Sequence, residues 1–290
     1  MRKVEGAREA MLCIHPGGLP SKVYARLAEA LPDVSLYVAE LSISMPYVQA
    51  SEPGAEHRGG VERVARSVLD DFGAIAQEPV GILCGWSFGG VIAHRLAQEI
   101  VASGGRQPMV ILLDTIAPAQ AGPLDRFLPF SAKSLAAGAR EKPVLMRWFV
   151  SYLNALRGCR ISITGNEIAR LSDEELLERL LDRLKSAGGM GQDVTIAGFG
   201  KVFREFRRGM NRNTSLLAQY VPGGGEIDVV LIRASKPLYR IFHVFRRMGW
   251  GRLARSVDAR TVRGDHYQLI ADPDCIQAIT NELRALRGGR

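Results

Sequence analysis

The sequence is informative first for what it lacks. No apolar run approaches the ~20 residues that a membrane-spanning helix needs. The first six residues, Met-Arg-Lys-Val-Glu-Gly, lack the apolar core of a secretion signal. The four cysteines are scattered, with no Cys-x-x-Cys pair and no cluster with histidine. We therefore expect no membrane partner, no disulfide framework, no bound metal ion or cofactor, and a location in the reducing cytoplasm.

Basic residues exceed acidic ones. The chain has 38 Lys and Arg against 30 Asp and Glu, a formal net charge of +8. Much of the excess lies between residues 201 and 263, for example in Phe-Arg-Glu-Phe-Arg-Arg at 203–208. No helix-turn-helix, RNP or zinc-finger pattern accompanies it, so we expect no nucleic acid partner. A solvated basic face and a docking surface for an acidic protein both fit this distribution.

The length of 290 residues fits one large α/β domain or two small ones. Helical patterns alternate with strand-like apolar segments at 10–15, 34–38, 80–84, 108–114, 227–234 and 259–262. Near-continuous apolar strands between helices predict a mostly parallel sheet that is covered by helices on both faces. We expect a single α/β domain over residues 1–290, with a loop at 46–60.

The alternation of strands and helices stops between about residues 115 and 222, where helical patterns occur without a clear strand. The clearest of them is a leucine-rich helix that Ser172 and Glu175 begin as a capping box. The pair Gly188-Gly189 ends that helix. An insertion of this length is too long for a connection, so we expect a helical lid at about 115–222.

The strongest local motif is Gly85-Trp-Ser-Phe-Gly-Gly90, which lies between an apolar strand and a helical pattern. Glycines on both sides of Ser87 permit a tight strand-to-helix turn in which larger neighbours would collide. The turn sets the hydroxyl at a helix N-terminus, whose dipole favours a developing negative charge. This arrangement resembles the nucleophile elbow of the α/β-hydrolases and predicts Ser87 as a nucleophile. A glycine-rich turn without catalytic function is the alternative.

A serine nucleophile needs a base within hydrogen-bond reach, and the base needs an acid to orient it. Of the five histidines, His266 alone lies late in the chain, after the last predicted strand. In this fold the base comes last in chain order, which predicts His266. A surface-turn histidine is the alternative.

The acid is less obvious, because the usual position after the next-to-last strand, Arg233-Ala-Ser-Lys-Pro, holds no carboxylate. The earlier strand ends in Asp114, and a carboxylate at that edge of the sheet could reach His266. We therefore predict Asp114, with Asp265 and Asp258 as the remaining candidates. An aspartate that only caps the turn after its strand is the structural alternative.

Acyl transfer also needs two N–H donors for the charge that forms on the carbonyl oxygen. The residue after the nucleophile, Phe88, is expected to supply one. The turn after the first strand, His15-Pro-Gly-Gly-Leu, is expected to supply the other, because glycine lets backbone approach a ligand closely. Gly17 is favoured there, and Gly18 stays open.

Further short motifs complete the pattern: His15-Pro-Gly-Gly, Leu112-Leu-Asp114, Leu171-Ser-Asp-Glu-Glu-Leu-Leu, Tyr220-Val-Pro, Ile-Arg-Ala234, Gly249-Trp250 and Gly264-Asp-His-Tyr. With them, the chain from about residue 10 to 286 resembles the chain-releasing (type I) thioesterase domains of nonribosomal peptide synthetases and polyketide synthases. In that family the acid follows the strand after the elbow helix, which supports Asp114.

The resemblance implies that Ser87 takes an acyl or peptidyl chain from the phosphopantetheine thiol of a carrier protein. Water would then release the chain by hydrolysis, or a group of the chain itself would close a macrocycle. Carrier proteins are generally acidic, which gives the basic surface an expected partner. Trp86 and Phe88 are closer to the releasing domains than to the editing (type II) enzymes.

Three alternatives remain at this stage. A stand-alone acyltransferase would pass the chain to a separate amine or hydroxyl acceptor, and an editing thioesterase would hydrolyse it from carriers. A carrier-binding protein with a decayed triad belongs to another class, and the complete set of Ser87, Asp114 and His266 argues against it.

Overall fold

The computed structural model describes residues 1–49, 60–118, 141–223, 227–236 and 246–288. Its centre is a six-stranded sheet with the strand order β2-β1-β3-β4-β5-β6. The strands are β1 (Ala10–His15), β2 (Ser35–Glu40), β3 (Val80–Trp86), β4 (Met109–Leu113), β5 (Asp228–Lys236) and β6 (Ser256–Asp265).

All neighbouring strands in the sheet pair in parallel. β1 and β4 are buried along their whole length, which is why their sequences are apolar without alternation. In the β1–β3 register Cys13 lies beside Cys84, and both are buried free thiols. The predicted α/β-hydrolase fold with its mostly parallel sheet is confirmed.

Ten α-helices surround the sheet in the described part of the chain. They are α1 (Ala25–Ala30), α2 (Met45–Gln49), α3 (Gly60–Ile75), α4 (Phe88–Ala102), α5 (Lys142–Arg157), α6 (Gly165–Arg170), α7 (Asp173–Ser186), α8 (Ile196–Gln219), α9 (Gln268–Ala271) and α10 (Pro273–Gly288). Short 3₁₀ turns occupy Ser21–Tyr24, Leu41–Ile43 and Trp250–Arg252.

Alternate strand residues point to two separate cores, one on each face of the sheet. Leu12 and Leu83 pack with α3 and α4 on one face. Met11 and Ile82 belong to the opposite face, with α1, α10 and the helices between β4 and β5. Because side chains alternate along a strand, a sheet with both faces covered needs apolar residues at every position.

The described part of the segment between β4 and β5 contains four helices, α5 to α8, and no strand. The first part of the segment, residues 119–140, lies outside the described residues. Ser172 accepts the N–H of Glu175 and the carboxylate of Glu175 accepts the N–H of Ser172, so the predicted capping box begins α7. An aromatic cluster packs α5 against α8, with the ring of Phe149 4.9 Å from that of Phe203.

Two local predictions need correction. The expected loop at 46–60 begins instead as α2, with Pro46 at its second position, where a missing N–H costs no helical hydrogen bond. The rest of that loop, 50–59, lies outside the described residues. β6 is longer than the predicted 259–262, because it is an edge strand whose exposed polar residues conceal it from an apolar-run pattern.

Candidate active site

Ser87 occupies the turn between β3 and α4. Its backbone has φ of 55° and ψ of −126°, a region that non-glycine residues adopt only under strain. Its N–H donates to the carbonyl of Leu113 at 2.9 Å, so the neighbouring strand holds the turn in place. The side chain therefore stands at the carboxyl edge of the sheet and at the N-terminus of α4.

Two glycines of the motif are required by close packing of backbone. A Cβ on Gly85 would lie well under 3.0 Å from the carbonyl oxygen of Gly89. A Cβ on Gly89 would collide in the same way with the carbonyl of Ile14 in β1. Glycine at these positions lets α4 start directly over the sheet, which is what the turn at Ser87 needs.

His266 follows β6, and its ring is hydrogen-bonded to Asp114. Nδ1 of His266 lies 2.8 Å from Oδ2 of Asp114, and both side chains are buried. A carboxylate can only accept, so Nδ1 carries the proton in this bond. In the neutral form of the ring, Nε2 is then an acceptor, which is what a general base needs.

Asp114 directly follows β4 and has a φ of 45°, a left-handed conformation that aspartate tolerates better than most residues. Its N–H donates to the carbonyl of Ile232 at 2.8 Å. Its Oδ1 accepts the N–H of Ala234 at 3.0 Å, while Oδ2 faces His266. β5 thus fixes both the backbone and the carboxylate of Asp114.

The two other candidate acids are engaged elsewhere. The Oδ1 of Asp265 accepts backbone N–H groups of its own turn, and its Oδ2 accepts the hydroxyl of Ser151 at 2.9 Å. Asp258 is an exposed residue of β6 whose Oδ2 lies 2.8 Å from Arg260. The structure therefore brings Asp114, rather than either of these, to His266.

Of the remaining histidines, two lie inside the described residues. His15 ends β1, and burial lowers its pKa. His94 is buried in α4 against Trp250, and burial lowers its pKa to about 4. His57 and His243 lie outside the described residues.

Trp86 contacts His266 directly, which the sequence analysis missed. Its Nε1 donates to the backbone carbonyl of His266 at 3.0 Å, and the two ring centroids are 4.9 Å apart. The indole also stacks on His15, with the ring centroids 5.8 Å apart. The residue before the nucleophile therefore supports the loop that carries His266, and no local sequence signal reveals a contact of such long range.

Ser87 and His266 line one cavity of about 480 Å³ between the sheet edge and α8. The turn after β1 forms another wall, where Gly17 and Gly18 have φ of 90° and 91°. Phe88 is the first residue of α4, so its N–H has no partner within the helix. The two predicted N–H donors thus belong to the segments that border this cavity.

Two further residues of the cavity wall were not predicted, Tyr47 of α2 and Arg212 of α8. The guanidinium of Arg212 lies 4.8 Å from the centre of the Tyr47 ring. Tyr47 fell in the predicted loop, and Arg212 in a basic stretch that shows no sequence signal for a cavity. The helical periodicity of α8 puts its polar residues on two faces of the helix, and the sequence alone does not show which of these faces lines the cavity.

The basic surface predicted from composition is partly described. Lys201, Arg204, Arg207 and Arg208 are exposed on α8, and Lys201 and Arg208 also line the cavity. Arg255 instead pairs with Asp228, and residues 237–245 lie outside the described part of the chain.

Two findings concern other kinds of site. Within the described ranges, no three or more His, Cys, Asp or Glu side chains form a group that could hold a metal ion. No helix among the described residues is both long enough and apolar enough to cross a bilayer.

Solved structures with the same fold come from peptide synthetases and related systems. A four-domain nonribosomal peptide synthetase, holo-AB3403, aligns with 97% of this chain at 20% identity and a TM-score of 0.64. The chain covers only 20% of that protein. The NocB thioesterase domain from the nocardicin cluster aligns with 96% of this chain and 95% of its own at 21% identity and a TM-score of 0.54.

A curated relative is similar over a shorter stretch. The non-reducing polyketide synthase PKS1 of Zymoseptoria tritici is 25% identical over 127 residues, which is 43% of this chain and 6% of the synthase. The family model described as "Thioesterase domain" matches residues 9–285, nearly the whole chain. The chain therefore belongs to the thioesterase domain family and is a hydrolase of the thioesterase type.

Proposed function

We propose that this protein is a serine thioesterase that takes an acyl or peptidyl chain from the phosphopantetheine thiol of a carrier protein onto Ser87. The observation that carries this proposal is the 2.8 Å bond between His266 and Asp114, with Ser87 and His266 lining one cavity. A neutral imidazole held in this tautomer, in the same cavity wall as the Ser87 hydroxyl, is suited to activate that hydroxyl.

The first half-reaction forms an acyl-enzyme. Nε2 of His266 accepts the proton of the Ser87 hydroxyl while its oxygen attacks the thioester carbonyl. Asp114 stabilises the imidazolium that results and keeps the ring in position. When the tetrahedral intermediate collapses, the C–S bond breaks and His266 returns the proton to the departing thiolate.

The carbonyl oxygen becomes negatively charged during this step. We assign its stabilisation to the backbone N–H of Phe88, at the start of α4, and to that of Gly17 in the turn after β1. Both segments border the cavity, and the dipole of α4 points its positive end at Ser87.

The second half-reaction releases the chain. Water, activated by His266, gives a free acid, whereas an amine or hydroxyl of the chain itself gives a macrocycle. We propose that the insertion at 115–222 acts as the lid of a single domain, because α8 supplies much of the cavity wall beside Ser87. The lid would decide the outcome by admitting water or by folding the chain back on itself.

The carrier protein is proposed from charge. Lys201, Arg204, Arg207 and Arg208 lie exposed on α8, at the same helix that walls the cavity. An acidic carrier that docks there would be steered by this charge and could place its thioester at Ser87.

The experiment is intact-protein mass spectrometry after incubation with a synthetic acyl-phosphopantetheine thioester. Wild type is expected to show an acyl adduct or to release thiol, whereas Ser87→Ala shows neither and His266→Ala is strongly slowed. Adduct formation in Ser87→Ala would contradict the assignment of the nucleophile. If free thioesters give no reaction, the same acyl group loaded on a carrier protein is the decisive substrate, and no reaction there refutes the proposal.

The released product then distinguishes the fates of the chain. A free acid indicates hydrolysis and a ring indicates cyclisation. A panel of added amines and alcohols tests for transfer, because an acyltransferase would give conjugates in place of the acid.

A further inference from the structure

One face of α8 carries the charged groups that meet the cavity. At positions spaced for a single helical face, the cavity is lined by Lys201, Glu205, Arg208 and Arg212. The first three are exposed, whereas Arg212 is half-buried. Arg212 is therefore the cation that lies deepest among these four.

Arg212 is fixed by its neighbours. Its guanidinium packs 4.8 Å from the centre of the Tyr47 ring. The hydroxyl of Tyr47 donates to Oδ1 of Asn213 at 2.6 Å and reaches the carbonyl of Pro16 at 3.3 Å. The aromatic ring under the cation is thus tied to α8 and to the turn that holds Gly17. An ordered cation loses little freedom when it binds an anion.

This cation has no anionic partner among the described residues. The nearest carboxylate on its own face, that of Glu205, pairs with Arg208 at 2.6 Å. In the described part of the chain, Nε of Arg212 is buried and has no hydrogen-bond acceptor. A guanidinium that lines a cavity and pairs with no described carboxylate would gain charge-assisted hydrogen bonds from a carboxylate ligand bound there.

We propose that Arg212 binds a carboxylate of the acyl chain, so that the preferred substrate is a thioester whose chain carries an anionic group. This inference rests on the proposed thioesterase function. The planar fork of a guanidinium matches a carboxylate in a bidentate pair, and the wall that holds Arg212 is shared with Ser87. The same oxygen chemistry could come from the phosphate of the phosphopantetheine arm, and the experiment separates the two sources.

The substrates are N-acetylcysteamine thioesters of adipic and suberic acid, paired with the thioesters whose far end is a carboxamide. These probes contain no phosphate. Thiol release gives kcat/KM for each, and wild type is expected to prefer the carboxylate about tenfold for at least one chain length, as a charge-assisted bidentate pair allows. Arg212→Gln should bring the ratio to about one, through loss on the carboxylate substrate.

Arg63→Gln is the matched control, because it removes the same charge from an exposed position of α3 that neither lines the cavity nor belongs to the proposed carrier surface. It should keep the wild-type ratio. Arg212→Lys keeps the charge without the fork and should give an intermediate ratio, which also tests the idea if Arg212→Gln fails to fold.

Equal turnover of carboxylate and carboxamide by wild type would overturn the inference, and so would an unchanged ratio in Arg212→Gln. A third comparison uses carboxamide thioesters of pantetheine and phosphopantetheine. A contrary result would be that Arg212→Gln abolishes a preference for phosphopantetheine over pantetheine and leaves the ratio of kcat/KM for carboxylate over carboxamide unchanged. In that case Arg212 binds the phosphate of the arm and the inference is wrong. No turnover of any thioester and no adduct at Ser87, even from a carrier, would instead refute the proposed function.

Discussion

Asp114→Asn keeps the size of the side chain and removes its charge, and two hydrogen bonds determine the expected outcome. The carboxylate accepts the N–H of Ala234 at 3.0 Å on one oxygen and Nδ1 of His266 at 2.8 Å on the other. An asparagine has one carbonyl oxygen for these two donors, so its amide nitrogen must face one of them.

If the amide nitrogen faced Ala234, two donors would oppose each other in a buried site, at a cost of about 1–3 kcal/mol. The asparagine oxygen is therefore expected to keep the bond to Ala234, and its N–H to donate to Nδ1 of His266. That bond moves the imidazole proton to Nε2, so Ser87 meets a donor instead of a base. The acylation rate should fall about 10³- to 10⁴-fold, or about 4–5.5 kcal/mol in the barrier, as the same exchange does in serine proteases.

The assay is the rate of acyl adduct formation, followed by rapid quenching and intact mass, with thermal unfolding measured in parallel. Asp258→Asn is the control, because Asp258 is an exposed candidate acid that pairs with Arg260, and it should acylate at the wild-type rate. If Asp114→Asn folds normally and acylates within about tenfold of wild type, the reasoning from the tautomer is refuted. A large loss of acylation rate in Asp258→Asn would instead identify Asp258 of β6 as the acid.

Three other outcomes concern stability. Gly89→Ala should cost about 3 kcal/mol in urea unfolding, because its Cβ would collide with Ile14. Gly73→Ala, at an open position of α3, should stabilise by about 1 kcal/mol, and similar values for the two would contradict the packing argument. Burial lowers the pKa of His94 to about 4, from 6.5, so the unfolded chain binds more protons between these pH values. Stability should therefore fall by up to about 3 kcal/mol as the pH drops through that window, and His94→Leu should remove that part of the slope. Ser172→Ala should weaken α7 by about 1 kcal/mol, seen as faster amide exchange in that helix, and unchanged exchange would show that tertiary packing holds its first turn.

Much of the fold could be predicted because its signals are local. The apolar segments at 10–15 and 80–84 are strands, and they are apolar throughout because helices cover both faces of the sheet. The capping box at Ser172 predicted the start of α7 because it depends only on residues three apart. The length of β6 was underestimated, because an exposed edge strand can carry polar residues and so lacks a continuous apolar run.

The site could be predicted in part, for a related reason. The carboxyl ends of parallel strands meet at one edge of the sheet, so a motif at the end of β3 and an aspartate at the end of β4 were expected to be close. No comparable sequence signal predicts contacts between segments that are distant along the chain. The bond from Trp86 to His266 and the packing of Arg212 on Tyr47 depend on how the loops and α8 fold over the edge.

The two strained backbone conformations of the site lie at strand ends, where hydrogen bonds to a neighbouring strand hold them. Ser87 and Asp114 both have positive φ, and each directly follows one of two strands that pair in parallel. Each still donates its N–H to the next strand, Ser87 to Leu113 at 2.9 Å and Asp114 to Ile232 at 2.8 Å. The ladder thereby holds conformations that cost about 1–3 kcal/mol each, because leaving them would break a buried hydrogen bond. Since folding already imposes these conformations, we expect the hydroxyl and the carboxylate to need no rearrangement in the proposed reaction, which is the condition under which fixed groups lower a barrier.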